Sequence, residues 1–203
     1  KPLLKADGLS ISRGGVPLFE GLGFSLLEGS GLVLTGANGS GKTTLLKLLA
    51  GVMTATEGGV CLAPEKEATD MLYIGHSNAI KLDATVYENL LFWSEIRGEV
   101  MLLSAAVNHL GLQDYIDTPC GELSAGWQRR VALAKLICCP SLLWLLDEPT
   151  ANLGAEGGRV VLGLIKARVQ GGGGVILAMH NIPDDYKELM PHTVCVEDFY
   201  PIK

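Results

Sequence analysis

Short apolar runs punctuate this chain, and each ends abruptly in residues able to do chemistry. Leu32-Val33-Leu34 leads into Gly36, Leu142-Leu143-Trp144-Leu145-Leu146 into Asp147-Glu148, and Val175-Ile176-Leu177-Ala178-Met179 into His180. Apolar runs without polar alternation predict strands buried on both faces of a parallel sheet, over residues 32–34, 141–148 and 175–179. Between the runs, apolar residues return at helical spacing. Leu45, Leu46, Leu48 and Leu49 predict a helix over 44–50, and further helices are expected over 86–97, after Ser124, and over 155–169. Strands alternating with helices predict an α/β chain. The 203 residues are read as one domain, residues 1–203, able to bury about 70% of the unfolded surface.

Composition changes this picture little. The mean hydropathy of +0.30 raises the question of a membrane span, yet no apolar run approaches the roughly 18–20 residues that a span needs. The nearest candidate, residues 136–146, is broken by Pro140 and Ser141 and reads as a helix end followed by a buried strand. No signal-peptide pattern opens the chain. Five cysteines form no CxxC pair, and their odd number argues against a disulfide framework and for a reducing compartment. Cys138-Cys139, at the end of an apolar helix, is read as two small core residues rather than a metal or tetrapyrrole site. A formal net charge of −6 offers no general basic surface, so no nucleic-acid partner is expected.

The chemistry enters at Gly36-Ala37-Asn38-Gly39-Ser40-Gly41-Lys42-Thr43, which satisfies the full phosphate-loop pattern. It lies between a predicted strand and the helix that Thr44 begins, where the pattern has its mechanism. Glycines let successive N–H groups converge on an anion, and the helix start adds its positive end. Lys42 is expected to reach the β- and γ-phosphates of ATP, and Thr43 to offer its hydroxyl to Mg2+. Asp147 and Glu148, at the carboxyl end of a buried strand, fall at the sheet edge where open α/β folds bind ligands. Asp147 is expected to hold Mg2+ through water, and Glu148 to accept a proton from the water attacking the γ-phosphate.

Between these motifs lies Leu123-Ser124-Ala125-Gly126-Trp127-Gln128-Arg129-Arg130-Val131-Ala132-Leu133-Ala134. It resembles the signature motif of ATP-binding cassette (ABC) ATPases, Leu-Ser-Gly-Gly-Gln, with its following helix. The resemblance covers essentially the whole chain. It implies a P-loop NTPase core with an antiparallel β subdomain and an inserted helical subdomain at about residues 85–140. Ser124 and the Gly126 amide would form a second anion site, turned away from the phosphate loop of their own protomer. Head-to-tail dimerisation would seat each ATP between Lys42 of one protomer and Ser124 of the other, giving a homodimer in the ATP state. In the same family, His180 matches the switch histidine that contacts the γ-phosphate, residues 151–154 the D-loop, and Glu28-Gly29 the turn before the phosphate-loop strand. Gly171-Gly172-Gly173-Gly174 is expected to be only a flexible turn.

Departures from the general pattern narrow the family. His76 stands where a glutamine normally touches Mg2+ or the attacking water, and is carried over as a residue of the metal site. Ala125 and Trp127 replace Gly and Gln, and Gly154 replaces an aspartate. The segment 11–15 lacks the aromatic that stacks on adenine, which leaves Arg13 or Phe19 for that contact. Tyr73-Ile74-Gly75-His76, Ile80-Lys81, Glu88-Asn89-Leu90 and the signature segment resemble the ATPase subunits of the bacterial cytochrome c maturation system, the haem-exporter CcmA family. That resemblance implies a peripheral subunit on the cytoplasmic face of the inner membrane, integral membrane partners, and an indirect link to haem. On the helix over 86–97, Leu90, Leu91, Phe92, Trp93 and Ile96 exceed one apolar stripe; each is read first as a core residue, with Phe92 or Trp93 the exceptions that would meet a membrane partner. Competing readings are the ATPase of another ABC transporter, a soluble ABC ATPase acting on ribosomes or DNA, and a nucleotide-gated module of low turnover. His76, Trp127 and Gly154 favour the last; Asp147, Glu148 and His180 oppose it.

Overall fold

A computed structural model describes residues 1–63, 70–180 and 182–201. Its centre is a five-stranded sheet in the order β5 (Met71–Ile74), β6 (Leu143–Asp147), β7 (Gly174–Ala178), β3 (Gly31–Thr35), β8 (His192–Cys195), with every pairing parallel. The apolar runs become its middle strands for the expected reason. In β6 all residues are buried, with Trp144 and Leu146 facing one core and Leu143 and Leu145 the other. In β7, Val175 and Leu177 divide from Ile176 and Ala178 in the same way. A strand that alternates between two apolar cores needs apolar residues at every position.

One face carries helices. α2 (Val86–Arg97), α3 (Leu103–Leu110), α4 (Ala125–Leu133), α5 (Lys135–Cys138) and α6 (Gly154–Gln170) all contribute to the core that contains Trp144. The other face is covered by α1 (Lys42–Leu49) and a three-stranded antiparallel sheet, β2 (Val16–Leu27), β1 (Pro2–Arg13), β4 (Glu57–Leu62). A last short helix, α7 (Asp184–Lys187), precedes β8. Predicted boundaries shift by one or two residues at β6, α1 and α6, the ordinary ambiguity of helix and strand ends.

Two expectations change. Gly171 to Gly174 are not simply a flexible turn: the Gly29 N–H donates to the Gly172 and Gly173 carbonyls, and Gly174 opens β7. A Cβ on Gly174 would stand 2.6 Å from Leu3 and 2.7 Å from Leu26, so the glycine lets the two sheets approach. On α2, Trp93 is buried while Phe92 is 45% and Ile96 64% exposed. The buried residues Val86, Asn89, Leu90, Trp93 and Ser94 trace one stripe, and Phe92 lies off it. Thr85 and Glu88 start this helix with a reciprocal capping box. Buried Asn89 holds the loop before it, accepting from the Lys81 N–H and donating to the Lys81 and Thr85 carbonyls. Cys138 and Cys139 are buried, as core residues are.

Candidate nucleotide site

The phosphate loop leaves β3 and enters α1 through a chain reversal that needs its glycines. Gly39 and Gly41 have φ of 84° and 106°, and a Cβ on Gly41 would press within 3.3 Å of the Phe19 ring. Phe19 is fully buried beneath the loop, which removes it as the adenine-stacking residue. Arg13 lines both the cavity in front of the loop and an adjoining one of about 290 Å3 shared with Leu18, Lys47 and Met53. Gly41 caps α1 without any side-chain hydrogen bond, so no side chain spends the helix's first amides. Lys42, only 7% exposed, donates from Nζ to the Gly36 carbonyl at 2.6 Å and the Ala37 carbonyl at 3.0 Å. The ammonium is thereby held over the loop at the cavity wall.

The cavity, about 520 Å3, brings together residues from distant parts of the chain. Asn38, Gly39, Gly41, Lys42, Thr43 and Thr44 form the loop side. His76 follows β5, Asp147 ends β6 with Glu148 next to it, and His180 follows β7, all lining the rest of the cavity. The parallel ladder does this placing, because Asp147 and Ala178 are register partners and so their strands end level.

Joining the loop to the end of β6, Thr43 Oγ1 donates to Asp147 Oδ2 at 2.8 Å. These hard oxygen donors fit Mg2+, which takes one or two protein oxygens and completes its shell with water and phosphate. Among the described residues no group of three or more His, Cys, Asp or Glu side chains could hold a metal ion without such help. Glu148 adopts a left-handed φ of 46°, a conformation that costs a non-glycine residue about 1–3 kcal/mol and persists only under restraint. One of its oxygens, Oε1, is buried and accepts no hydrogen bond among the described residues. His180 Nε2 stands 3.6 Å from it, beyond direct bonding. Glu148 lines the cavity, with His180 as the neighbour of its buried oxygen.

Other expected residues stand elsewhere. Gly36 and Ser40 shape the loop without lining the cavity. The Ala37 N–H is already taken, donating to Glu197 Oε1 at 3.0 Å, so it is not presented to phosphate. Ser124 caps α4 by accepting from the Trp127 N–H, and Gly126 packs against the Asn152 carbonyl, 2.6 Å from where a Cβ would lie. Both are outside the cavity of their own protomer. Trp127 is not idle: its ring lies 4.4 Å from that of Tyr115, with the Arg130 guanidinium 4.8 Å away.

The sequence reading did not single out Arg129 or Glu197. Arg129 is 3% exposed, and burial lowers its pKa while Asp147 and Glu148 oppose that shift. A charged side chain on the α4 stripe with Ala132 and Leu133 was the available signal, since buried charges must be paired. Nearby, burial and then the Asp147 charge push the Tyr73 phenol up to about 12.

A family model described as ABC transporter matches residues 19–151. The cytochrome c biogenesis ATP-binding export protein CcmA of Rhizobium meliloti is 43% identical over 188 residues, covering 87% of this chain and 90% of that protein. The CcmA protein of Rickettsia bellii is 42% identical over 167 residues, covering 80% and 85%. Among solved structures, a putative ABC transporter ATP-binding protein from Pyrococcus furiosus superposes with a TM-score of 0.81 over 98% of this chain and 99% of that one. Its 21% identity supports likeness of fold alone.

Proposed function

This chain belongs to the ABC transporter ATP-binding family and, within it, to the cytochrome c biogenesis ATP-binding export proteins CcmA, and on that premise we propose how its residues turn over ATP and what it works upon. It is an ATP-binding subunit and an ATPase. Lys42 and the amides of residues 39–44 bind the phosphates, and Arg13 with Leu18 receives the base. Thr43 and Asp147 would hold Mg2+, which when bound neutralises charge building on the phosphates. His76 faces the same space from the end of β5.

Glu148 carries the reaction. The Glu148 carboxylate, which lines the cavity, accepts the proton of the attacking water, and His180, whose Nε2 lies 3.6 Å from Glu148 Oε1, orients the γ-phosphate. A Glu148 carboxylate that lines the cavity next to Asp147, on a backbone held in a left-handed conformation, is the observation that most favours hydrolysis over mere nucleotide-gated binding. Glu148→Gln should lower turnover at least about 100-fold while leaving ATP affinity within about threefold. Turnover at the parent rate would exclude Glu148 as the base.

The exposed Ser124 and the half-buried Gly126 complete a second chain's site in an ATP-bound homodimer, which the same Glu148→Gln chain should accumulate in gel filtration with ATP. No described helix is long and apolar enough to cross a membrane, and the exposed Phe92 and Ile96 suit a lining for integral membrane subunits of the same export system. The subunit then works peripherally on the cytoplasmic face, and its link to haem runs through those partners. Affinity isolation from gently solubilised membranes should recover integral cytochrome c biogenesis subunits. Recovery of ribosomes or DNA-repair factors instead would overturn the transport assignment.

A further inference from the structure

We propose that Arg129 is the positioning residue for Glu148: it grips the backbone that presents the reactive carboxylate and ties it to the loop carrying His76. The guanidinium reaches from α4 under the end of β6. Nη2 donates to the Asp147 carbonyl at 2.8 Å and the Glu148 carbonyl at 3.0 Å, and Nε to the Pro149 carbonyl at 3.4 Å. Three successive carbonyls therefore converge on one cation. The Glu148 N–H is fixed separately, donating to the Ala178 carbonyl at 2.9 Å. Glu148 is held on one side by β7 and on the other by Arg129, which is the restraint its left-handed backbone requires.

The same side chain continues to the far wall. Nη1 donates to the Gly75 carbonyl at 2.9 Å and to Asn78 Oδ1 at 3.2 Å, bracketing His76. Lys135, the first residue of α5, reaches the same loop by donating to the Asn78 and Ala79 carbonyls. A planar fork with donors in fixed directions can serve these separated acceptors at once, whereas an ammonium on a flexible stem serves only part of the set. Arg129 lines no part of the cavity, so it acts through Glu148 and not on nucleotide. The same helix starts at Ser124, so a shift of α4 reaches the carboxylate through one side chain.

This inference rests on the reading of Glu148 as the base, and the test separates the two. Arg129→Gln, Arg129→Lys and Glu148→Gln are prepared as full chains, each assayed for ATP turnover, for affinity toward a fluorescent ATP analogue and for thermal midpoint. The expected result is turnover down at least about 30-fold in Arg129→Gln and about 5–10-fold in Arg129→Lys, with affinity within threefold of the parent in both. A purely structural role would instead lower affinity and turnover together and show no rank order between Lys and Gln. Either that pattern or parent-like turnover in a folded variant overturns the proposal. If Arg129→Gln does not fold, Arg129→Lys decides by the same criteria. Full turnover in Glu148→Gln would remove the underlying reading, while loss there beside unaffected Arg129 variants would remove only this inference.

Discussion

The walls of the nucleotide cavity are held in place by different physics. On one side, Asp147, Glu148 and His180 sit at the ends of β6 and β7, whose positions are set by backbone ladders between fully buried strands. On the other, the 75–81 loop carrying His76 has no ladder and is held chiefly by side chains: Arg129 and Lys135 from the helical face, and Asn89 from α2. A ladder between buried strands cannot shift by less than a register step without breaking backbone hydrogen bonds that no water can replace. Side-chain clamps can lengthen and re-form, so the second wall is the one able to move with the helices.

If that contrast holds, damage to the ladder side should be felt as lost stability. Leu145→Ala removes a fully buried side chain from the middle of β6 and should cost about 2–5 kcal/mol in urea unfolding. Lys42→Ala touches no ladder, so it should weaken ATP binding about 100-fold, near 2.7 kcal/mol, while leaving the unfolding midpoint nearly unchanged. Asn89→Ala attacks the clamped wall and should cost about 1–2 kcal/mol, with amide exchange quickening at residues 81–85 before the β6 amides. Slower or unchanged exchange there would show that the loop does not depend on its clamp.

The smallest effect concerns pH. Burial lowers the Lys135 pKa from 10.5 to about 8. Above about pH 8 the unfolded chain keeps the proton that the folded chain has released, so this group adds stability as pH rises toward 10.5. Burial raises the Cys138 and Cys139 thiols, which act in the opposite direction at higher pH. Comparison with Lys135→Met isolates the lysine. Between about pH 8 and 9 the parent should gain roughly 0.5–1 kcal/mol relative to the variant, and equal slopes would show that the ammonium stays charged against the Trp93 ring, 4.1 Å away.

What was legible in the sequence follows the same division. The ladder wall was readable because strands buried on both faces leave unbroken apolar runs and end at a fixed edge, which brought Asp147, Glu148 and His180 forward together with the phosphate loop. Strands β5 and β8 lie at the sheet edges, where Met71–Ile74 is partly exposed and His192–Cys195 mostly so, and they left no comparable run. The clamped wall was hidden because Arg129 meets carbonyls up to 54 residues away in sequence, and Glu197 reaches Ala37 across 160 residues. Periodicity has no view of such pairs. It could have separated Trp93 from Phe92, since Trp93 stands three and four residues from Leu90 and Asn89 on the stripe.

The strand order also governs how the chain comes into being. β3, which ends at the phosphate loop, is made early, yet its ladder partners are β7 at residues 174–178 and β8 at 192–195. At ~5–20 residues per second the ribosome supplies those partners on the order of ten seconds later. Until then the antiparallel β1–β2 hairpin can form from local contacts, but the phosphate loop has no sheet to stand on. Nucleotide therefore cannot assist the early stages of folding, and a nascent chain stopped short of β7 should present Leu32 to Leu34 as a bare apolar edge for chaperones to cover.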